Sequence, residues 1–124
     1  MERRDIDGEG MHAQAVMVAG QPRLIFVSGQ VAVDPGGETI GSDVATQARA
    51  VFERISRYLS ECGASLADVV KITTFLTDMD EYAAFAEVRA EFFPARKPAS
   101  STVGVKALSR PEYLIEVEAV AAIA

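Results

Sequence analysis

Few side chains in this sequence are suited to chemistry, and they fall into small groups. Glu116 and Glu118 stand two apart in Leu114-Ile115-Glu116-Val117-Glu118-Ala119. On a strand, residues two apart share one face at roughly 6.5–7 Å from each other. Carboxylates so placed can divide acid and base work, because like charges raise one pKa. A solvated strand face is the plainer alternative, since charged side chains are mostly exposed. A second subunit covering that face would reverse the preference for at least one of them. Ser100-Ser101-Thr102 follows Pro98-Ala99 and can either hold a ligand anion or, more commonly, cap a turn. In Ser28-Gly29-Gln30 the glycine either lets the backbone approach a ligand or marks a bulge. His12 is a candidate base near neutral pH, although its polar surroundings favour a surface histidine. Cys62 lies on an apolar helical stripe and is expected to be a small core residue rather than a nucleophile. One Cys and one His cannot complete a four-ligand zinc site, so no metal is expected. There is no glycine-rich phosphate loop, HExxH or GxSxG. Arg96-Lys97, an internal basic pair, fits a solvated loop.

The elements that must position these residues can be read from periodicity. Residues 1–11 are charged and contain glycine, and are expected to be a loosely held lead-in to a single domain spanning 1–124. Gln14 to Val18 and the β-rich run Leu24 to Val33 are predicted strands separated by a turn at Gly20-Gln21-Pro22-Arg23. Val44, Ala48, Val51, Phe52, Ile55, Tyr58, Leu59 and Cys62 form an apolar stripe at helical spacing. Ser42 or Asp43 can cap its start, and Gly63 suits the left-handed position beyond its end. Val69 to Thr77 is a third strand. Asp78 and Glu81 then resemble a capping box for a second helix. That helix carries Tyr82, Phe85, Ala86, Arg89 and Phe93 on one side and stops at Pro94. Thr102 to Lys106 and Tyr113 to Ala121 are the last two strands.

The order β-β-α-β-α-β-β predicts an α+β fold, a mixed sheet with two helices on one face. Yet both alternating sets of Leu24 to Val33 are apolar: Leu24 and Phe26 on one side, Ile25, Val27, Val31 and Val33 on the other. A sheet roofed on one face only should be polar on the other, so the second face is expected to be buried in a closed homo-oligomer. Composition narrows the rest. The chain has 124 residues, Lys+Arg 12 against Asp+Glu 18, a net charge of −6 and 49% hydrophobic residues. Such a chain is neither disordered nor in need of disulfide staples. No apolar stretch approaches the ~20 residues of a membrane span, and the first residues lack a signal-peptide core. A cytoplasmic address is expected, with no membrane partner. The acidic balance argues against nucleic acid as a partner.

Several segments, taken in order, resemble the RidA (YjgF) family. They are Gln14-Ala15-Val16, Phe26-Val27-Ser28-Gly29-Gln30, Val69 to Leu76, Glu91-Phe92-Phe93-Pro94, Pro98-Ala99-Ser100-Ser101-Thr102-Val103 and Ile115-Glu116-Val117-Glu118-Ala119. The resemblance implies a chorismate-mutase-like fold, a homotrimer whose sheets face a central barrel-like core, and ligand clefts between subunits. It also implies chemistry without cofactor or metal. The best-understood relatives hydrolyse reactive enamines and imines to 2-oxo acids and ammonia. An arginine there pairs with the substrate carboxylate, a glutamate of the last strand places the attacking water, and a tyrosine and the Ser-Gly-Gln backbone complete the cleft. Carried over, Glu116 matches the water-placing glutamate, and Ser28 and Gly29 match the cleft wall. The arginine position holds Ser100, and the tyrosine position His12. Ser100 cannot replace a bidentate guanidinium contact, so the chain resembles an arginine-lacking branch in which ordinary 2-imino-acid deamination is weak or absent. The expected function is therefore a small-molecule hydrolase or deaminase acting on another enamine, imine or related compound. The alternative is a non-catalytic small-molecule-binding or regulatory trimer. Endoribonuclease activity fits less well with the charge.

Overall fold

Helix α1 (Val44–Glu61) organises the core in the computed structural model, which describes all 124 residues. Its inward residues Val44, Ala48, Val51, Phe52, Ile55 and Leu59 are buried, as their spacing predicts. Asp43 is its N-cap: the carboxylate accepts from the Thr46 backbone N–H at 2.8 Å and the Thr46 hydroxyl at 3.0 Å. Gly63 takes a φ of +77° just past the helix end. Cys62, expected in the core, is exposed. The helix stops at Glu61, and Cys62 is a non-helical cap residue (φ −99°, ψ 6°), so its side chain leaves the apolar stripe.

Helix α2 (Tyr82–Phe92) buries Phe85, Ala86, Val88 and Arg89. The expected capping box does not form at its start. Asp78 accepts instead from the Asp80 N–H at 2.9 Å and opens a 3-10 turn, Met79–Glu81, that runs into α2. Phe52 stacks with Phe85 (6.3 Å between centroids) and meets Phe93 edge-on (5.5 Å), joining the two helices.

Six strands complete the chain: β1 (Glu2–Ile6), β2 (Ala15–Ala19), β3 (Arg23–Gln30), β4 (Val69–Leu76), β5 (Ala99–Gly104) and β6 (Ile115–Ile123). The main sheet has the order β3-β6-β4-β5. Its β3/β6 and β6/β4 pairs are antiparallel and β4/β5 is parallel. Both helices lie on one face, where Val27, Ile72, Leu76, Ile115, Val117, Ala119 and Ala121 join Phe52 and Phe85 in one core cluster. This is the α+β architecture read from the sequence. On the opposite face Phe26 is 74% and Leu24 51% exposed.

Element boundaries differ from expectation by one or two residues at several ends, and by more at three places. The strand predicted to reach Val33 ends at Gln30, because the chain bulges there and Val33 bridges back to Thr39. The β5 strand starts at Ala99 rather than Thr102, held by parallel pairing to β4 from Lys71↔Ala99 onward. The largest difference lies at the start. Residues 2–6, expected within a loosely held lead-in of 1–11, form β1, paired antiparallel with β2 from Glu2↔Ala19 to Ile6↔Ala15. Arg3 fixes it: its guanidinium donates to Asp5 Oδ1 at 2.7 Å and to the Ala67 carbonyl at 2.7 Å. Charge at this end serves as an anchor. No helix is long and apolar enough to cross a membrane.

Candidate functional site

The Ser28-Gly29 segment sits in a β-bulge. Val27 pairs with Ala119 and Gln30 with Val117, so β3 advances three residues while β6 advances two. The bulge is clamped from α1: Arg54 Nε donates to Gln30 Oε1 at 3.2 Å and Arg54 Nη1 to the Val33 carbonyl at 2.7 Å. The Gln30 amide in turn donates to the Ser28 carbonyl at 3.0 Å. Arg54 escaped notice in the sequence, where it is one more exposed-face arginine of an amphipathic helix.

Glu116 lies over Gly29. A Cβ added at Gly29 would stand 2.8 Å from Glu116 Cδ and 3.0 Å from its Oε2, closer than real side chains approach. Glycine leaves the room that the Glu116 carboxylate occupies, and a larger residue would turn that flexible side chain aside. Of the two readings offered for Gly29 the bulge is present, and the group its backbone approaches is the chain's own Glu116 carboxylate. Glu116 is half-buried on the open face of the sheet, opposite Phe75 of β4, whereas Glu118, opposite Thr73, is exposed. The ion pairs of the chain are Arg3–Asp5 and Arg49–Glu91, so Glu116 is not neutralised by a cation.

Ser100 and His12 lie elsewhere. Ser100 is on β5 with its hydroxyl toward the helices, where it accepts from Arg89 Nη1 at 3.1 Å. Arg89 Nη2 donates to the Tyr82 hydroxyl at 3.2 Å, and the guanidinium carbon stands 5.2 Å from the Phe85 ring centroid and 5.7 Å from that of Tyr82. Arg89 is only 2% exposed. Its signal in the sequence was an arginine within the apolar stripe of α2. His12 precedes Ala13, whose N–H donates to the Pro98 carbonyl at 3.1 Å and which bridges Ala99 in parallel. His12 thus flanks the start of β5 and is half-buried, with Nδ1 buried and unpartnered, rather than a free surface histidine.

Ser28 and Gly29 lie on one edge strand, β3, and Ser100 and His12 at the other, β5, with Glu116 on the inner strand β6. β3 and β5 are separated by β6 and β4, about 14 Å at ~4.8 Å per strand spacing. A single chain therefore brings Ser28, Gly29 and Glu116 together but keeps Ser100 and His12 apart from them. A groove of about 290 Å³ beside β3 is lined by Phe26, Ser28, Gln30 and Tyr58 among others. None of the four surface depressions encloses Glu116, Ser100 or His12. Groups of three His, Cys, Asp or Glu that could hold a metal do not occur.

Comparison with known proteins identifies the frame. Residues 4–123 match the family model described as Endoribonuclease L-PSP. A RutC family protein of Pyrococcus abyssi is 42% identical over 113 residues, covering 90% of this chain and 86% of the relative. The chain belongs to the RidA/YjgF family. Among solved Rid structures, YyfB of Yersinia pestis, a conserved Rid family protein of unknown function, superposes with a TM-score of 0.88 at 33% identity, covering 99% of this chain and all of that one. Another Rid relative, the mitochondrial mmf2 protein of Schizosaccharomyces pombe, is 41% identical and covers 91% of this chain. Family members thus occur outside the cytoplasm.

Proposed function

We propose that this Rid-family chain is a cytoplasmic small-molecule hydrolase of the deaminase kind. It works as a homotrimer, on an enamine, imine or related compound other than an ordinary 2-imino acid. The observation that carries this proposal is Glu116 seated directly over Gly29, a carboxylate with no cationic partner beside a stretch of exposed backbone. A second subunit's β5 edge, bringing Ser100 and His12, closes the cleft against Ser28, Gly29 and Glu116. That arrangement accounts both for the separation of the two groups within one chain and for the bare apolar face around Phe26.

The chemistry needs no cofactor or metal. Glu116 accepts a hydrogen bond from a water and takes its proton as the water oxygen bonds to the carbon of the C=N group. The C=N π pair moves onto nitrogen, which takes up the proton that Glu116 has removed from the water. In the resulting carbinolamine the hydroxyl proton passes to nitrogen, by way of Glu116, as the C–N bond breaks, so ammonia leaves with the bonding pair and a carbonyl remains. An enamine enters the same route after protonation at carbon. Ser100 offers a ligand one hydroxyl where relatives have a guanidinium fork, so an ordinary 2-imino acid is poorly oriented.

Substituting Glu116→Gln tests this proposal: ammonia release from the true substrate should disappear while the oligomer is kept. Unchanged turnover in that variant contradicts it. The absence of the strand arginine favours a second reading, a trimer that binds a small molecule without consuming it. Such a binder would retain its ligand affinity and release no product. With a net charge of −6, ribonuclease activity has little electrostatic support.

A further inference from the structure

Helix α1 brings three of the chain's 12 basic residues, Arg49, Arg54 and Arg57, to one depression of about 310 Å³, shared with the segment that follows β3. Arg54 is already fixed there. Its Nε and Nη1 donate to Gln30 and to the Val33 carbonyl, while Nη2 makes no hydrogen bond within the chain. Arg57 stands three residues on, and so beside it on the helix, with no ion pair of its own. Both guanidinium groups converge on the Tyr58 ring, at 5.9 and 5.5 Å from its centroid. Like charges gathered in this way repel, and no carboxylate lies within ion-pair distance of either. The acids of the depression leave this charge standing. Asp34 Oδ1 accepts from the Gly36 and Glu38 N–H groups, both at 2.9 Å, and Glu53 pairs with none of the three arginines. Arg49 is joined to Glu91 at 3.0 Å, in an exposed pair that a stronger anion can displace. A chain of net charge −6 thus gathers two unpaired guanidinium groups side by side.

We infer that this depression binds the phosphate group of a small phosphorylated molecule, with Arg54 and Arg57 holding the phosphate oxygens and Arg49 as a third cation. Adjacent guanidinium groups suit several oxygens set at different angles, which a phosphate offers and a carboxylate, with two coplanar oxygens, does not. Arg54 loses little freedom on binding because the chain already holds it. The depression is larger than a phosphate group, and Val33, Pro35 and Ile40 supply an apolar wall for an organic remainder. Glu116 does not line this depression, so the inference does not rest on the hydrolytic role proposed for that residue.

Inorganic phosphate, phenyl phosphate and phenol are suitable probes, titrated into the full-length protein at constant ionic strength and followed by backbone amide shifts. Phenyl phosphate should bind saturably and about fivefold more tightly than inorganic phosphate, because its ring covers the apolar wall. Phenol should show no saturable binding. The largest shifts should fall between Val33 and Ile40 and between Ala50 and Arg57. Arg57 is exposed, so Arg57→Gln should fold normally and weaken phenyl phosphate about tenfold, the loss of one charge-assisted contact. Arg57→Lys should restore part of that affinity. Arg54→Gln should abolish saturable binding; if that variant does not fold, Arg57→Gln alone decides. Glu116→Gln should bind phenyl phosphate as the wild type does, so failure of the phosphate site and failure of the hydrolytic role are read in different variants. Affinity unchanged in Arg57→Gln, phenol binding as tightly as phenyl phosphate, or no saturable shift with either phosphate would overturn the site.

Discussion

At the scale of single residues, the site depends on the missing side chain of Gly29. Its φ is not in the left-handed region, so alanine is opposed only by the movable Glu116 carboxyl group, whose carbon lies 2.8 Å from where its Cβ would be. Gly29→Ala should therefore turn the Glu116 side chain aside and destabilise the fold by up to about 1 kcal/mol. The same change in a Glu116→Ala background should cost far less. A double-mutant cycle of denaturation midpoints measures the coupling, and additive effects would contradict the contact. Position 100 gives a second prediction. Freshly generated 2-aminoacrylate should yield little ammonia with the wild type, and Ser100→Arg should raise the yield if the cleft is otherwise competent. Robust wild-type release would remove the significance given to Ser100. The pair Gly29–Glu116 could be suspected from sequence one residue at a time, but not as a contact, because the bulge that shifts register is invisible to alternation. Arg89 shows the opposite limit. It stood in the apolar stripe, but hydrophobic periodicity cannot say what a buried guanidinium reaches.

At the scale of elements, buried polar links decide where strands and helices meet. Gln47 of α1 is fully buried, and its amide donates to the Gly41 carbonyl at 3.1 Å and the Glu112 carbonyl at 2.9 Å while accepting from the Leu114 N–H at 2.8 Å. It sets the entry to β6, the strand that carries Glu116. Gln47→Leu leaves those backbone groups unpaired and should cost about 2–4 kcal/mol in urea or thermal unfolding. At the other end of the contact between sequence and fold, Asp43 caps α1, and the hydrogen bonds from the Thr46 N–H and hydroxyl lower its pKa below the ordinary 3.8. A lowered folded pKa means that the stabilisation is complete above about pH 4 and is lost as pH falls through the depressed value. Asp43→Asn should flatten that acid limb, as read from unfolding midpoints between pH 5 and pH 2; an unchanged acid limb would contradict the cap. Helix α1 was legible because capping and apolar spacing are local. The first strand was not, because β1 depends on Arg3 reaching Ala67 across the fold, a contact that composition disguises as a charged tail.

At the scale of the whole molecule, the chain is half of an explanation for its own site. The sheet presents Leu24 and Phe26 to solvent on the face away from the helices, and Ser28 and Gly29 lie on one edge strand while Ser100 lies on the other, with Glu116 on the inner strand β6. Burying Phe26 alone would recover about 1.5–3 kcal/mol per chain, a contribution toward the cost of forming the proposed trimer. Phe26→Asp should yield monomers with native helix content. The apolar character of both strand faces was already apparent in the sequence, since alternation assigns Leu24 and Phe26 opposite to Ile25 and Val27. How a second chain would be oriented was not, because periodicity carries no information about symmetry. The mass of the wild-type protein in solution at micromolar concentration, measured by light scattering, is the most direct test that the site is shared between subunits. Three chains per particle is the predicted result, and a mass of one chain would contradict it.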